Sequence, residues 1–529
     1  MAHVKSDAST LGVSGTGRLP AIQGGRIGPA AVPALTLLYH PDLRRVGDRA
    51  LLSELALGRE ARLGRLEPEL ASPDAAVGEP LGDRHVSREP LRLKPLAQGG
   101  IVLSAGESRT KVVVDGVPLA GEITIPAADL ARGVVLELAE RLVLLLHVLD
   151  HLTAPAGQRF GLVGDSGGIA RVRSEIAGVA DSDVPVLLRG ETGTGKELAA
   201  QALHAASRRS GGPFVAVNLG AIPPTLVASE LFGAARGAYT GSVQSQEGYF
   251  RKAHGGTLLL DEVGEAPPEV QVMLLRTLET GEIHPVGTQS PQRVDVRVLA
   301  ATDADLEARA AAGEFRAPLL HRLGGYEIWL PSLRERRDDV GRLLLHFLRR
   351  ELAALGEAGR LEPGAPVWLS PGIVARLARY DWPGNVRQLR NVARQIAIGS
   401  RGQPRAEVGP AVERLLRQTA SRPVEIPQIP LAAAPERRRP SDVPEDELIA
   451  ALQACRWDLQ AAAERLHISR PSLYALVEAN PRLRKAGDLS TAEIAHCWEE
   501  LGGDVEAMVD RLQVSRKALA RRLRELKLL

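Results

Sequence analysis

Aromatic residues make up only 3% of the 529-residue sequence, and there are just two cysteines and three methionines. With so few rings, any core must be aliphatic. Cys455 and Cys497 stand far apart without metal-ligand spacing, which excludes a disulfide scaffold and suits a reducing, cytoplasmic setting. No apolar run is long enough to span a bilayer. The best candidate, Val134 to Leu149, carries Glu137, Glu140 and Arg141 and reads as buried strands, so no membrane partner is expected. Met1 to Gly17 is polar and lacks the apolar segment of a signal peptide. A formal net charge of +2 points neither to nor away from nucleic acid, and any basic patch must be local. What is present, 44% apolar and 25% charged residues, is ordinary globular composition. A chain of this length calls for about three domains.

The strongest signal is Gly190-Glu191-Thr192-Gly193-Thr194-Gly195-Lys196-Glu197. An apolar run, Val184 to Leu188, precedes it, and Glu197 to His204 after it has helix-forming composition. A strand, a glycine-rich turn ending in Gly-Lys and a helix form a phosphate-binding loop. The glycines let backbone N–H groups converge on phosphate oxygens, and the helix N-terminus and Lys196 add positive charge. Glu197 stands where a Ser or Thr usually touches magnesium, so another group or water must replace that hydroxyl.

Downstream, Pro213 to Asn218 reads as a second strand, Thr257 to Asp261 as a third and Val294 to Ala300 as a fourth, ending at Ala301-Thr302-Asp303. Four apolar or β-branched residues running into Asp261-Glu262 form a Walker B arrangement. Asp261 can hold Mg or its waters, and Glu262 can orient and polarise an attacking water. Strands alternating with helices predict a parallel sheet with its site at the C-terminal strand ends.

From Phe160 to Ser400 the sequence resembles the AAA+ domain of sigma-54-dependent transcriptional activators. The most specific piece is Gly237-Ala238-Tyr239-Thr240-Gly241-Ser242, similar to the surface loop by which that family touches the sigma factor; Tyr239 and Ser242 are mild departures from Phe and Ala. The resemblance implies an α/β part at 160–332 and a helical lid at 333–400, ATP and Mg as cofactors, and assembly into rings, a hexamer in the family. It implies that Asn218 links Glu262 to the nucleotide state, that Arg316 and Arg322 reach a neighbouring subunit's γ-phosphate, and that Arg387 is the lid's sensor arginine. Asp303 occupies the first sensor position, where Asn is commoner, and an acid there would repel the γ-phosphate.

Residues 1–33 are rich in Gly, Pro, Ala and Ser and are expected to be disordered. From 34 to 152, short apolar runs separated by Gly, Pro and Asp predict a β-sandwich. Leu57-Gly58-Arg59, Val86-Ser87-Arg88 and Val114-Asp115-Gly116 resemble elements of a forkhead-associated (FHA) domain, a reader of phosphothreonine. The resemblance implies a phosphopeptide site with Arg59, Ser87, Arg88 and Thr110; an arginine fork and a hydroxyl suit a dianion. Pro90 replaces an expected histidine, and Thr110 stands where an asparagine is expected.

Residues 401–444 read as a proline-rich basic linker with Arg437-Arg438-Arg439. In 445–529 there is an internal repeat: Asp458 to Arg470 aligns with Asp504 to Arg516. Each copy reads as helix, turn, helix and resembles the Fis-type ending of the same activators. Ser469 and Ser515 are natural N-caps, so Arg470, Ser472 and Tyr474 open one recognition helix, and Arg516, Lys517, Arg521 and Arg522 lie on the other.

These readings predict a multidomain chain: an all-β FHA-like sandwich, an α/β AAA+ P-loop domain with helical lid, and an all-α tandem helix-turn-helix. The expected function is an ATP-hydrolysing activator of sigma-54 RNA polymerase that binds double-stranded DNA, forms homo-oligomers from dimer to hexamer and takes a phosphothreonine protein as a further partner. The alternative is a DNA-binding repressor with an inactive or merely nucleotide-sensing AAA+ domain.

Overall fold

The computed structural model of the chain describes residues 31–73, 75, 77–150, 158–236, 245–288, 290–418, 440–466, 468–484, 487–526 and 528. They fall into two compact units that divide within 419–439. The first holds the front sheets, the α/β part and the lid. The second holds the C-terminal helices.

The front end is two antiparallel sheets around a shared aliphatic core. One orders its strands as Arg49–Leu51, Ala31–Tyr39, Leu142–Asp150, Val134–Leu138, Val112–Val114 and Val117–Pro118. The other orders them as Ala61–Leu63, Leu91–Pro95, Ile101–Ser104 and Glu122–Ile125. The first strand begins at Ala31, so residues 31–33 belong to the sheet rather than to a disordered tail. Asp115 and Gly116 both take positive φ (45° and 87°) and close a two-residue hairpin, as a primed turn requires.

The central strands of the six-stranded sheet are buried on both faces. Leu142, Leu144 and Leu146 point into the front core with Leu35, Leu37, Val134 and Leu136. Val143, Leu145, Val135, Leu38 and Tyr39 join a second core with Val340, Leu344, Leu348, Val374 and Leu377 of the lid. Strand side chains alternate faces, so a strand covered on both sides reads as an unbroken apolar run. That explains Val134 to Leu149 without a membrane. No described helix is long and apolar enough to cross a membrane.

Docking of sheet on lid is close. Helix Pro371–Arg379 lies against strands Ala31–Tyr39, Val134–Leu138 and Leu142–Asp150. The Tyr39 hydroxyl donates to the Leu369 carbonyl at 2.7 Å, and Arg379 pairs with Glu137 at 2.8 Å. In helix Val340–Ala354, a Cβ on Gly341 would overlap the Leu38 carbonyl oxygen, so only glycine lets strand and helix meet there.

The α/β part is a five-stranded, all-parallel sheet in the order Phe214–Asn218, Thr257–Asp261, Arg297–Thr302, Val186–Arg189 and Tyr326–Trp329. The expected strand at Val294 starts at Arg297. Gln292–Arg293 turns away to form a small ribbon with Glu282–Ile283, and Tyr326–Trp329 is a fifth strand that the sequence reading did not assign. The lid runs past the expected end at 400. Helix Pro410–Gln418 packs on it through Val412, Leu415 and Leu416, and Glu413 accepts a two-pronged bond from Arg376 at 2.7 Å. Residues 401–418 therefore belong to the lid and not to a linker.

Among its described residues the C-terminal unit has six α-helices, Glu445–Ala454, Leu459–Arg465, Arg470–Ala479, Thr491–Glu500, Val505–Leu512 and Arg516–Glu525, around one apolar core.

Candidate active site

Strand register sets the site. Asn218 sits beside Asp261 on neighbouring parallel strands, and Thr302 beside Arg189. The chemistry-bearing residues thus leave the sheet at one edge, the C-terminal ends. Gly190, Gly193 and Gly195 take φ of 147°, 80° and 108°, which bends the loop tightly before helix Lys196–Ala205. The Lys196 ammonium donates to the carbonyls of Gly190 at 2.7 Å and Glu191 at 3.2 Å. Burial pulls its pKa below the ordinary value, while Asp303, Asp261 and Glu262 oppose that shift. Arg387 adds to the lowering, so two cations, Lys196 and Arg387, and three acids share the site. Thr194 turns its hydroxyl to the Glu191 carbonyl at 2.8 Å, and Glu197 faces Gln201 rather than the loop.

Asn218 donates to Asp261 at 3.4 Å and accepts from the Ala221 N–H at 3.1 Å. Glu262 takes left-handed φ and ψ (56° and 46°), Asp261 accepts its backbone N–H at 3.1 Å, and its carboxylate lies beside Gly220, close to Asn218. The parallel register puts Asn218 level with Asp261, one residue before Glu262. A non-glycine residue in this conformation is held there by its surroundings and stores strain. Asp303 accepts from the Thr192 hydroxyl at 2.6 Å, so its carboxylate is engaged by the phosphate loop.

The lid abuts the loop. The Arg387 N–H donates to the Gly193 carbonyl at 3.2 Å, and a Cβ on Gly193 would lie 2.5 Å from the Gly384 carbonyl oxygen. Sequence reasoning missed the latch between them. Fully buried Asn385, at φ 51°, donates to Glu191 Oε2 at 3.0 Å and to the Thr192 carbonyl at 3.1 Å, and accepts from the Leu333 N–H at 2.8 Å. Arg334 pairs with Glu191 and holds its carboxyl below the usual range, and buried Arg336 reaches the Thr194 carbonyl at 3.3 Å. The signal available in sequence was Gly384-Asn385 before an amphipathic helix, Asn being tolerant of the left-handed region.

Arg316 and Arg322 flank the exposed side of helix Ala317–Leu323. Arg322 donates to the Leu278 carbonyl at 2.8 Å, and Arg316 engages Gln271 only through its backbone N–H. Both guanidinium groups lie on the surface of the unit. Gly237 to Ser242 lie outside the described residues.

In the front sheets the Ser87 N–H donates to Thr110 Oγ1 at 2.9 Å, and Ser108 donates to the same oxygen at 3.3 Å, so Ser87 and Thr110 share one loop cluster. Arg59 and Arg88 are exposed. In the C-terminal unit, Ser469 caps Arg470–Ala479 by accepting from the Ser472 N–H at 3.2 Å, and Ser515 caps Arg516–Glu525 by accepting from the Ala518 N–H at 3.4 Å. Tyr474 and Arg521 are exposed and Arg522 pairs with Glu525.

Three family profiles match: the sigma-54 interaction domain at 162–329, the AAA+ ATPase lid domain at 334–409, and the bacterial regulatory protein, Fis family, at 442–475. Over 405 residues the chain is 40% identical to the nitric oxide reductase transcription regulator NorR2 of Cupriavidus necator, covering 71% of this chain and 76% of that one. The chain belongs to the family of sigma-54-dependent transcriptional regulators. It is also 44% identical over 247 residues to the DNA-binding transcriptional regulator NtrC of Escherichia coli K12, which covers 47% of this chain and 51% of NtrC. It thus spans about half the length of that relative. A crystal structure of NtrX from Brucella abortus in complex with ATP is similar with 30% identity, a TM-score of 0.43 and 69% of each chain covered. As a sigma-54-dependent regulator the chain has an AAA+ domain, its lid and a Fis-type DNA-binding domain. The lid match runs past the expected boundary at 400 and ends at 409, where helix Pro410–Gln418 begins.

Proposed function

We propose that this regulator hydrolyses ATP to remodel the closed complex of sigma-54 RNA polymerase while bound to upstream DNA. The observation that carries the reading is Lys196, Asp261 and Glu262 gathered at one sheet edge under a lid latched to the phosphate loop. The loop fits a polyphosphate: Gly190, Gly193 and Gly195 take positive φ, and nothing lies within 4 Å of where a Cβ on Gly195 would be. Among the described residues no group of three His, Cys, Asp or Glu forms a metal cage, so Mg would rest on Asp261 and the substrate's own phosphates. Mg supplies neutralisation of the phosphate charge when bound. Lys196 leaves its carbonyl partners for the phosphates, Glu262 orients the attacking water, and Arg387 senses the nucleotide in cis.

Exposed Arg316 and Arg322 complete the site of a neighbouring subunit, so turnover depends on assembly into a ring. Thr240, within Gly237 to Ser242, carries the push to the sigma factor. The front sheets read phosphothreonine through Arg59, Ser87, Arg88 and Thr110 and bias that assembly. The test is an ATPase assay of wild type against Glu262→Gln, with and without sigma-54. The expected result is turnover in wild type and nucleotide binding without turnover in the variant. No turnover in wild type favours a repressor with a silent motor. Thr240→Ala should keep ATPase activity and lose transcription from the chain's own promoter. A phosphothreonine peptide that neither binds the full chain nor alters its ATPase rate removes the proposed role of the front sheets.

A further inference from the structure

The C-terminal unit holds one three-helix motif twice, and the Fis-family match at 442–475 covers the first copy into its third helix and none of the second. Helices Thr491–Glu500, Val505–Leu512 and Arg516–Glu525 each start 46 residues after their counterparts Glu445–Ala454, Leu459–Arg465 and Arg470–Ala479. The repeat extends to the interior. Leu466, Ile468 and Leu473 are buried in the first copy, and Leu512, Val514 and Leu519 in the second. The same Asp and Ser caps recur: Asp458 and Asp504 accept at the second helix of each copy, Ser469 and Ser515 at the third.

The surfaces do not repeat. At the same exposed positions of the third helix, Ala475 and Glu478 of the first copy become Arg521 and Arg524 of the second. The segment 470–479 carries one cation and one acid, and 516–525 carries five cations and one acid. Arg521 approaches Glu525 only at 4.0 Å, and Arg524 has no ion-pair partner among the described residues. Exposed cations without strong intramolecular partners are what a polyanion needs, because each phosphate contact releases condensed counterions.

We propose that the second copy, outside the family match, is the principal phosphate-binding element for double-stranded DNA, and that the first contributes little to affinity. This rests on the DNA-binding reading above. The two copies share a core and differ in exposed charge, so burial cannot account for the second copy's arginines. Each cation lost from a phosphate contact lowers the slope of log K against log salt by about 0.9.

The test is fluorescence anisotropy of the full chain with a 40-base-pair duplex of mixed sequence between 50 and 200 mM salt. Arg521→Ala with Arg524→Ala should reduce the salt slope by about two and weaken binding at least tenfold at the low-salt end. Arg521→Lys with Arg524→Lys should restore the slope, which separates charge from folding. Tyr474→Ala with Glu478→Ala in the first copy should change affinity less than threefold. An unchanged slope in the double alanine variant, or a larger loss in the Tyr474 variant, overturns the proposal. A wild-type chain that binds no duplex overturns the DNA-binding reading itself.

Discussion

Asn385→Asp tests the latch between lid and phosphate loop with the smallest change of shape. Aspartate keeps an acceptor for the Leu333 N–H and tolerates φ 51° about as well as asparagine. It loses both donors, and it sets a carboxylate against Glu191 Oε2 and the Thr192 carbonyl, which lie 3.0 and 3.1 Å from the present amide nitrogen. Two lost hydrogen bonds cost about 1 kcal/mol each, and a buried acceptor left without a donor adds about 1–3 kcal/mol. Glu191 is partly exposed, so water screens the new repulsion, and about 3–5 kcal/mol in total is the expected loss. Because the latch closes on the loop itself, part of that loss should appear in ATP affinity, to at most about three orders of magnitude. The assay is a fluorescent ATP analogue titrated alongside thermal unfolding of the full chain. Wild-type affinity together with wild-type melting would refute the reasoning, since an ionised aspartate has no donor for Thr192 and a protonated one has a single O–H for two acceptors.

Two further perturbations probe the seam between front sheets and lid. Gly341→Ala adds a methyl against the Leu38 carbonyl, which the sheet holds in place, and should cost about 2 kcal/mol by denaturant unfolding. If the strand did not lie against the helix, the same substitution would stabilise by about 1 kcal/mol through helix propensity, so the sign decides. His147 is buried against Thr36 at 2.8 Å, and burial drops its pKa to about 3. In the unfolded chain it takes up a proton near pH 6.5, and in the folded chain only near 3, so its contribution is complete above pH 6.5 and lost as pH falls through that window. The slope is up to about 1.4 kcal/mol per pH unit. His147→Gln should flatten the fall in stability between pH 6.5 and 4, and an identical profile in the variant would contradict the burial.

Much of the motor was legible because its chemistry is local. Gly190 to Glu197 and Asp261-Glu262 are contiguous, and their strands and helix follow from the same residues. The latch was not legible, since Asn385 meets Glu191 and Thr192 across nearly 200 positions. The pairing of Asn218 with Asp261 depended on strand register, which no local pattern states. The long apolar runs were correctly read as buried strands, but their two-sided burial needed the lid to be in view. The first helix of each C-terminal copy was missed because Glu445–Ala454 and Thr491–Glu500 share core positions rather than residue types.

The front sheets and the phosphate loop are joined by a short run of buried charge. Arg49 of the front sheet donates to Asp338 at 2.7 Å and to the Asp165 carbonyl at 2.7 Å. Asp339, next in the chain, accepts from the Asp165 N–H at 2.6 Å and the Ser166 hydroxyl at 2.6 Å and lies 3.9 Å from Arg336, which reaches Thr194. Burial raises the Asp338 pKa, and Arg49 is the largest opposing influence. Removing Arg49 therefore leaves a buried acid without its main partner, a loss of about 3–5 kcal/mol. If the cost is electrostatic, Asp338→Asn in the Arg49→Ala background should recover a large part of it, giving a coupling of at least about 1 kcal/mol. Spatial continuity alone is no evidence of communication, so ATP affinity must be measured on the same four proteins. Loss on Arg49→Ala and recovery in the double variant would make the run a route by which the front sheets act on the loop. Stability effects that leave ATP affinity untouched would reduce it to a fastening.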